Sequence, residues 1–315
     1  MYEKWKGVHT RCAFNMIQEL IPLTRPRTLA AALGPTILGA AFSYYAFGAA
    51  QGTGLAIFHT VLIFLAVITA QIVANLWNEY KDFKSGLDAG QKVGNAGSIT
   101  RGVITPELII TMIKVLMFVP IIIGLYLSAT ITWYYIPVGF LCILISFLYS
   151  GGPKPISRTP FGEISSGIAM GFAIVLITGY AWIRELSLAL LIPAIPSTLL
   201  VGSIMLTNNI RDIRNDESHG RHTLPIVLGR ERALSLMSIS YIFNFIWIIA
   251  WIIVGHMTWF ALLAFLSAPL AFKTIHTLST KTDEFELDKA MGTTAGTAIV
   301  YQLMWAIGLI MGKLF

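Results

Sequence analysis

Asn208-Asn209-Ile210-Arg211-Asp212-Ile213-Arg214-Asn215-Asp216-Glu217 is the stretch around which this sequence is organised, and it follows a long apolar run. An earlier apolar run ends similarly, in Asn75-Leu76-Trp77-Asn78-Glu79-Tyr80-Lys81-Asp82. Polar and ionised side chains at this depth of an apolar segment are costly, and they usually mark functional sites. We call residues 75–82 the first acid cluster and residues 208–217 the second acid cluster, and we expect them to face each other.

The composition of the chain is that of a membrane protein. Of its 315 residues 56% are hydrophobic and only 12% are charged, with a mean hydropathy of +0.72. A soluble domain carries about 25% charged residues. Apolar runs of about 20 residues, the length that crosses a bilayer as a helix, recur along the whole chain. The sequence therefore predicts an all-α polytopic membrane protein.

Hydropathy predicts about nine transmembrane helices in one bundle. Residues 1–27 are basic and are predicted to be a cytoplasmic or interfacial N-terminal segment with a short amphipathic helix on the membrane surface. Residues 28–315 are predicted to be one transmembrane domain. The predicted spans lie near residues 28–47, 54–78, 106–128, 132–150, 161–183, 188–210, 233–255, 258–278 and 290–311.

Loop charge predicts the orientation. The loops after the second, fourth, sixth and eighth spans carry lysine and arginine, whereas among the other loops only the fifth carries one, Arg184. By the positive-inside rule, the chain is a multi-pass cell-membrane protein with a cytoplasmic N-terminus and an external C-terminus. Both acid clusters then lie at the cytoplasmic face. An inverted-repeat transporter would instead place equivalent features on opposite sides.

The sequence does not indicate a nucleic-acid or a protein partner. A basic face with interleaved aromatic side chains, as nucleic-acid binding requires, is absent from the sequence pattern, and nothing indicates a protein partner. The two cysteines, Cys12 and Cys142, lie in a basic segment and in an apolar run, so we expect two reduced thiols.

Each acid cluster forms a stripe at helical spacing. Gln71, Asn75, Asn78 and Asp82 are four, three and four residues apart, so they share one helix face. An interhelical hydrogen-bond seam would explain Gln71 and Asn75 equally well, but not Asp82 at the membrane face. The second cluster repeats the pattern at steps of four, in Asn208, Asp212 and Asp216.

These residue types favour Mg²⁺ over other metals. Carboxylate and amide oxygens, together with substrate phosphates, are its usual ligands. No single loop offers the six or more oxygens of a calcium site. Zinc is disfavoured because His219 and His222 have no cysteine or third histidine nearby.

Acids alone would repel a diphosphate, so cations must complete such a site. Arginines flank the second cluster and lysines the first, although membrane topology alone would explain most of them. The glycine-rich residues 94–102 could present backbone amides to phosphate, but a flexible loop explains them as well. Ionisation of an allylic diphosphate fits these parts, with aromatic rings near the carbocation. Ring candidates are Trp77, Tyr80 and Tyr149.

The paired motifs Asn78-x-x-x-Asp82 and Asp212-x-x-x-Asp216 resemble those of the UbiA superfamily of intramembrane aromatic prenyltransferases. Residues 23–29, Leu-Thr-Arg-Pro-Arg-Thr-Leu, resemble the opening of that family, and nine helices is its number. Residues 208–212, 220–224 and 228–230 are most similar to the branch that prenylates 1,4-dihydroxy-2-naphthoate in menaquinone synthesis (MenA).

The resemblance implies Mg²⁺-dependent transfer of a polyprenyl group from its diphosphate to the naphthoate, with loss of the ring carboxyl as carbon dioxide. It implies metal ligation by Asn78, Asp82, Asp212 and Asp216, with Glu79 and Asp88 as further candidate ligands. Glu79 replaces a more common aspartate, and Asp88 lies six residues after Asp82 instead of four.

The remaining site residues carry charge or amides. The predicted catalytic residues are Asp82, Asp212, Asp216, Arg101 and Lys154. The predicted diphosphate-binding residues are Asn75, Asn78, Lys81, Lys92, Asn208, Asn209, Arg211 and Arg221.

Three alternatives stay open at this stage. The acceptor could be 4-hydroxybenzoate, a porphyrin or a glycerol phosphate. A cation-coupled transporter would also use intramembrane acids, although the same-side clusters disfavour it. A purely structural membrane protein would leave the acids unexplained. Prenyl chain length, general base and oligomeric state are not encoded in recognisable patterns.

Overall fold

The computed structural model describes residues 20–87 and 97–315, and these residues form helices and loops without any strand. Within these two described ranges, nine helices of at least 16 residues follow one another. They are α1 Ala30–Phe47, α2 Thr53–Ser85, α3 Pro106–Thr130, α4 Tyr135–Ser150, α5 Gly162–Ile183, α6 Leu191–Arg211, α7 Arg230–Ile253, α8 Trp259–Thr280 and α9 Glu284–Leu314.

The all-α membrane fold that the sequence predicts is confirmed. Within the described residues, eight of these helices are long and apolar enough to cross a membrane. The predicted span near residues 132–150 is the shorter helix α4, with 16 residues. Most of the N-terminal segment, with Cys12, lies outside the described residues, as do Asp88 and Lys92.

Helix ends follow local chemistry. Thr105 caps α3 by accepting a hydrogen bond from the Leu108 amide, and Pro106 occupies the first turn. Asp283 caps α9 by accepting from the amides of Phe285 and Glu286. Gly86 ends α2 with a φ of 74°, a left-handed conformation that glycine adopts without strain.

Helices α1, α6 and α9 form the centre of the bundle. Helix α1 packs against α2, α5, α6 and α9, while α3 and α4 pack against α2, and α7 and α8 complete the other side. The central helices bury large apolar side chains, among them Phe42, Ile210 and Trp305. In contrast, Phe118 and Ile122 on α3 are 63% exposed, as expected for side chains that face lipid.

Helix α5 contains an irregular turn beside the centre of the bundle. Gly167–Phe172 is a π-helical turn, and it packs directly on the backbone of α6. A Cβ atom at Gly171 would lie 2.6 Å from the backbone of Ser197, so this approach requires glycine. Such turns are frequent at functional sites. Here Ala169 and Met170 of the turn line a cavity, as do Ser165 and Ser166 just before it.

Candidate active site

A cavity of about 200 Å³ lies between α1, α2, α4, α5, α6 and α9. Its polar end is lined by side chains of both acid clusters. Its other end is lined by apolar side chains, among them Ile145, Met170, Val201, Ile204 and Met205. A cavity with a charged end and an apolar end suits a ligand that has a polar head and an apolar tail.

The first acid cluster lies along one face of α2. Gln71, Asn75, Asn78 and Asp82 all line the cavity, so the predicted stripe is present. The helix runs on to Ser85, seven residues beyond the predicted end of its span, and this carries Asp82 as part of a rigid element.

Two amides of that stripe hold the chain segment that precedes α1. The Gln71 amide nitrogen donates to the Thr28 carbonyl at 2.5 Å, and the Asn75 amide nitrogen donates to the Thr24 carbonyl at 2.9 Å. The tethered segment carries Arg25 and Arg27 into the cavity wall. Asn75, predicted to bind diphosphate, therefore also positions two arginines.

Asn78 and Arg25 form the next part of the wall. In the amide orientation that satisfies both neighbours, Asn78 donates to Ser150 Oγ at 2.9 Å and accepts from the Arg25 guanidinium at 3.1 and 3.2 Å. Arg25 has a φ of 50°, a strained value for a residue other than glycine. Such strain persists only where the surrounding structure holds the residue in place, and it is common at functional sites.

The second acid cluster begins at a break in the helix. Helix α6 ends at Arg211, Asp212 has a φ of −94° and a ψ of 6°, and a short helix follows at Ile213–Ser218. The Asp212 amide still bonds the Asn208 carbonyl at 3.1 Å, and the Asp216 amide bonds the Asp212 carbonyl at 2.8 Å. The fourth-residue spacing therefore survives the break, and all three side chains line the cavity.

Arg221 joins the two clusters. Its guanidinium lies 2.8 Å from Asp82 Oδ1 and 3.4 Å from Asp216 Oδ1, and its own backbone amide donates to the Asp216 carbonyl at 3.0 Å. Two carboxylates from distant parts of the chain thus face the same cation, which lies 139 residues after Asp82. The two acid clusters therefore face each other across Arg221, as the sequence predicts.

Asp216 lies outside the membrane-spanning helices and is 2% exposed. The pKa of Asp216 is raised to about 7: burial is the largest cause, the neighbouring carboxylates of Asp212 and Asp82 also raise it, and Arg221 lowers it. The negative potential at this point would be relieved by a bound cation.

Arg211 is held inside the second cluster. Its guanidinium bonds both carboxylate oxygens of Asp212, at 2.7 and 2.8 Å, and the Asn208 side-chain oxygen at 2.7 Å. A fourth bond, of 2.7 Å, joins it to Asp288 Oδ1 on α9. Asp288 also accepts from Arg27 at 2.6 Å.

Several predicted site residues do not line the cavity. Glu79, a candidate metal ligand, is 1% exposed and accepts from the backbone amides of Gly97 and Ser98 at 3.0 and 2.7 Å. The structure thus gives it an anchoring role for that loop, and these amides of the glycine-rich segment are engaged by a carboxylate instead of phosphate. Asn209 points away from the cavity and donates to Glu163 at 2.8 Å.

Three predicted cations also lie outside the cavity lining. The Lys81 ammonium lies over the Trp77 ring, 5.4 Å from its centroid. Arg101 bonds Ser98 Oγ at 3.3 Å, and Lys154 is exposed on the loop after α4. Their roles at a diphosphate stay predictions. Asp88 and Lys92 fall outside the described residues.

Three charged residues of the site were not predicted from the sequence. Arg25 and Arg27 entered as part of the basic segment and of the stretch that resembles the family's opening, but not as site residues, although they flank Pro26 directly before the first span. Asp288 was overlooked within a charged loop. Asp288 could have been found from the sequence, because it lies within one helical turn of the last predicted span and on the same side of the membrane as both clusters.

The residue types fit a magnesium ion. Carboxylates and amide oxygens converge at the polar end of the cavity, and these are hard oxygen donors. Among the described residues, no three acidic, histidine or cysteine side chains lie close enough together to hold a metal ion. Arg211 and Arg221 instead contact the carboxylates, as cations that balance the same charge.

Comparison with known proteins identifies relatives over almost the whole chain. A model of the UbiA prenyltransferase family matches residues 32–307. The chain is 35% identical to the 1,4-dihydroxy-2-naphthoate octaprenyltransferase of Bacillus subtilis (strain 168) over 303 residues, which covers 94% of this chain and 93% of that protein.

Two solved structures share the fold. The apo structure of a UbiA homolog from Aeropyrum pernix K1 has a TM-score of 0.67 at 17% identity, covering 90% of this chain and 97% of that one. The structure of a UbiA homolog from Archaeoglobus fulgidus bound to GPP and Mg²⁺ has a TM-score of 0.61 at 16% identity, with coverage of 92% and 99%.

Proposed function

The chain belongs to the UbiA prenyltransferase family, and we propose that it transfers a polyprenyl group from polyprenyl diphosphate to 1,4-dihydroxy-2-naphthoate. The observation that carries this is the meeting of two acid clusters at the charged end of a cavity whose other end is apolar. The acceptor is taken from the relative in Bacillus subtilis, which matches 94% of the chain and is named for that substrate.

Mg²⁺ is the proposed cofactor. Asn78, Asp82, Asp212 and Asp216 would hold it together with the diphosphate. The oxygen donors at the polar end of the cavity support this, as does the Archaeoglobus fulgidus homolog bound to GPP and Mg²⁺. When bound, the ion neutralises charge on the leaving diphosphate.

The cationic side chains of the cavity complete the diphosphate site. Arg25 and Arg221 line the polar end, and a guanidinium offers several donors in a geometry that suits phosphate oxygens. Because Arg221 contacts Asp82 and Asp216 in this arrangement, it is well placed to turn a donor to a diphosphate that arrives between them.

The apolar end of the cavity holds the isoprenoid tail and excludes water. Ile145, Met170, Ile204 and Met205 supply apolar surface there. Exclusion of water matters because cleavage of the carbon–oxygen bond to the diphosphate leaves an allylic carbocation, which water would capture. The Tyr149 ring, in the cavity wall, lies where it can stabilise that charge.

The acceptor ring supplies the electron pair for the new carbon–carbon bond. The two hydroxyl groups of dihydroxynaphthoate make its ring electron-rich, and loss of the ring carboxyl as carbon dioxide restores aromaticity. The products would be diphosphate, carbon dioxide and demethylmenaquinol, the hydroquinone form of demethylmenaquinone.

The protein is a multi-pass membrane protein, and we propose that the cavity opens to the cytoplasm. Among the loops between helices, those after α2, α4, α6 and α8 carry every lysine and arginine except Arg184, which favours a cytoplasmic N-terminus and an external C-terminus. Both acid clusters lie at the ends of α2 and α6 that face those loops.

Turnover by the purified protein tests the proposal. The full-length chain is incubated with Mg²⁺, a long-chain prenyl diphosphate and either 1,4-dihydroxy-2-naphthoate or 4-hydroxybenzoate, and prenylated product and carbon dioxide are followed. We expect product and carbon dioxide with the naphthoate. Product with 4-hydroxybenzoate alone would reject the acceptor, and no product with any acceptor would reject the activity.

A further inference from the structure

We propose that Asp288, at the start of α9, is a positioning residue that keeps Asp212 available to the metal by sharing the charge of Arg211. The inference rests on the metal–diphosphate site proposed above, and it assigns a role to a helix that carries neither acid cluster.

Most hydrogen-bond donors of Arg211 bind protein side chains, so few remain for a substrate. A guanidinium has five N–H donors, and four bonds of 2.7 to 2.8 Å occupy four of those of Arg211: two to Asp212, one to Asn208 and one to Asp288. Arg211 is only 9% exposed. It therefore acts through the carboxylates that it holds.

The positive charge of Arg211 would reduce the negative charge that Asp212 can offer to a metal ion. A buried guanidinium with two bonds to one carboxylate would neutralise it, and a neutralised carboxylate attracts a metal ion weakly. Asp288 contributes a second carboxylate to the same guanidinium, at 2.7 Å. The charge of Arg211 is then divided between two acids, and Asp212 keeps negative charge on the side that faces the cavity.

Arg27 does not cancel this effect. It also bonds Asp288, at 2.6 Å, but its side chain is 52% exposed whereas that of Arg211 is 7% exposed. Water screens an exposed cation strongly, so such a pair contributes little. The interaction of Asp288 with the buried Arg211 is therefore the stronger of the two.

Asp288 differs from the acids beside it. Asp283 caps α9, and Glu286 pairs with Lys289 at the surface, so both are explained by local structure. Asp288 lines the cavity and meets partners 77 and 261 residues away along the chain. Its contacts join the segment before α1, the end of α6 and the start of α9.

Metal binding without substrate isolates this role. Mn²⁺, which replaces Mg²⁺ and is detected by electron paramagnetic resonance, is titrated into the purified full-length protein in detergent. Asp288→Asn removes the charge and keeps the shape. We expect its Mn²⁺ dissociation constant to rise about fivefold to tenfold, since a coupled charge contact is lost.

Two variants serve as matched controls. Asp288→Glu keeps the charge and should restore Mn²⁺ affinity to within about twofold of the unmodified protein. Asp283→Asn makes the same charge change on the same helix, away from the cavity, and should leave the affinity unchanged. In turnover, Asp288→Asn should need more Mg²⁺ for half-maximal activity, while its rate at saturating Mg²⁺ is largely recovered.

The outcomes separate this inference from the proposed function. Unchanged Mn²⁺ affinity in Asp288→Asn, even with a lowered melting temperature, would overturn the positioning role, as would an equal loss in Asp283→Asn. Asp212→Asn is measured in parallel. If Asp212→Asn also leaves Mn²⁺ binding intact, the metal site itself is wrong and the inference falls with it.

Discussion

The two acid clusters reach the same cavity by different means. The first lies on α2, a continuous helix of 33 residues, and Asp82 meets its arginine from a loop 139 residues later. The second lies where α6 breaks at Asp212, and its carboxylates meet Arg211 and Arg221 from their own neighbourhood. One cluster is positioned by a rigid helix, whereas the other also brings the cations that balance both.

Because of this difference, we expect the second cluster to contribute to helix packing as well as to the cavity. Loss of the Asp82 carboxylate should alter the cavity and little else. A substitution in the second cluster should also disturb the ion pairs that hold α6, α9 and the segment before α1 together.

The largest expected effect is loss of turnover when Asp82 or Asp212 loses its carboxylate. Asp82→Asn and Asp212→Asn should each lower kcat about 100-fold or more, as expected when electrostatic stabilisation of a leaving group is removed. Glu217→Gln, which changes an exposed acid beside Asp216, is the matched control and should retain activity. Near-normal turnover in either aspartate variant would show that its cluster lies outside the active site.

The second prediction concerns the arginine that bridges the clusters. Arg221→Ala should lower turnover about 100-fold, because a cation that binds diphosphate is lost. The same variant should bind Mn²⁺ more tightly in the absence of substrate, because the guanidinium no longer competes for Asp82 and Asp216. Weaker Mn²⁺ binding in Arg221→Ala would contradict this account of the bridge.

The third prediction concerns the amides of the first cluster. Asn75→Ala removes a tether of the segment that carries Arg25 and Arg27, so KM for prenyl diphosphate should rise about tenfold with a smaller change in kcat. Thr69→Ala, on the same helix but away from the cavity, serves as control. A fall in kcat with unchanged KM would instead assign Asn75 to the chemical step.

The smallest effect on turnover is expected at Glu79. Glu79→Gln weakens the anchor of Gly97 and Ser98, and loss of a buried charged hydrogen bond should lower the free energy of unfolding by about 1 to 3 kcal/mol. Melting in detergent measures this loss, while turnover of the folded protein stays within about threefold. A loss of Mn²⁺ affinity as large as in Asp82→Asn would restore Glu79 as a metal ligand.

The sequence predicted those parts of the structure that local patterns encode. Apolar run length predicted the helices, and the spacing of Asn78 and Asp82 placed them on one face because a helix repeats every 3.6 residues. The same rule applied across the break at Asp212, since hydrogen bonds to the fourth preceding residue continue there.

Contacts between distant segments could not be predicted in the same way. Nothing in the spacing around Asp288 indicates that it will meet Arg27 and Arg211, because that contact depends on how three helices pack. Glu79, a candidate metal ligand in the sequence, follows Asn78 directly and so points off the face that lines the cavity; its role as a ligand stays a prediction.

The central claim is that both clusters hold one metal–diphosphate, and a double-mutant cycle tests it most directly. Affinity for a non-hydrolysable prenyl diphosphate analogue is measured with Mg²⁺ in the unmodified protein, Asp82→Asn, Asp212→Asn and the double variant. If the clusters act as one site, the double variant binds little more weakly than either single variant. Losses that multiply independently would contradict a shared site.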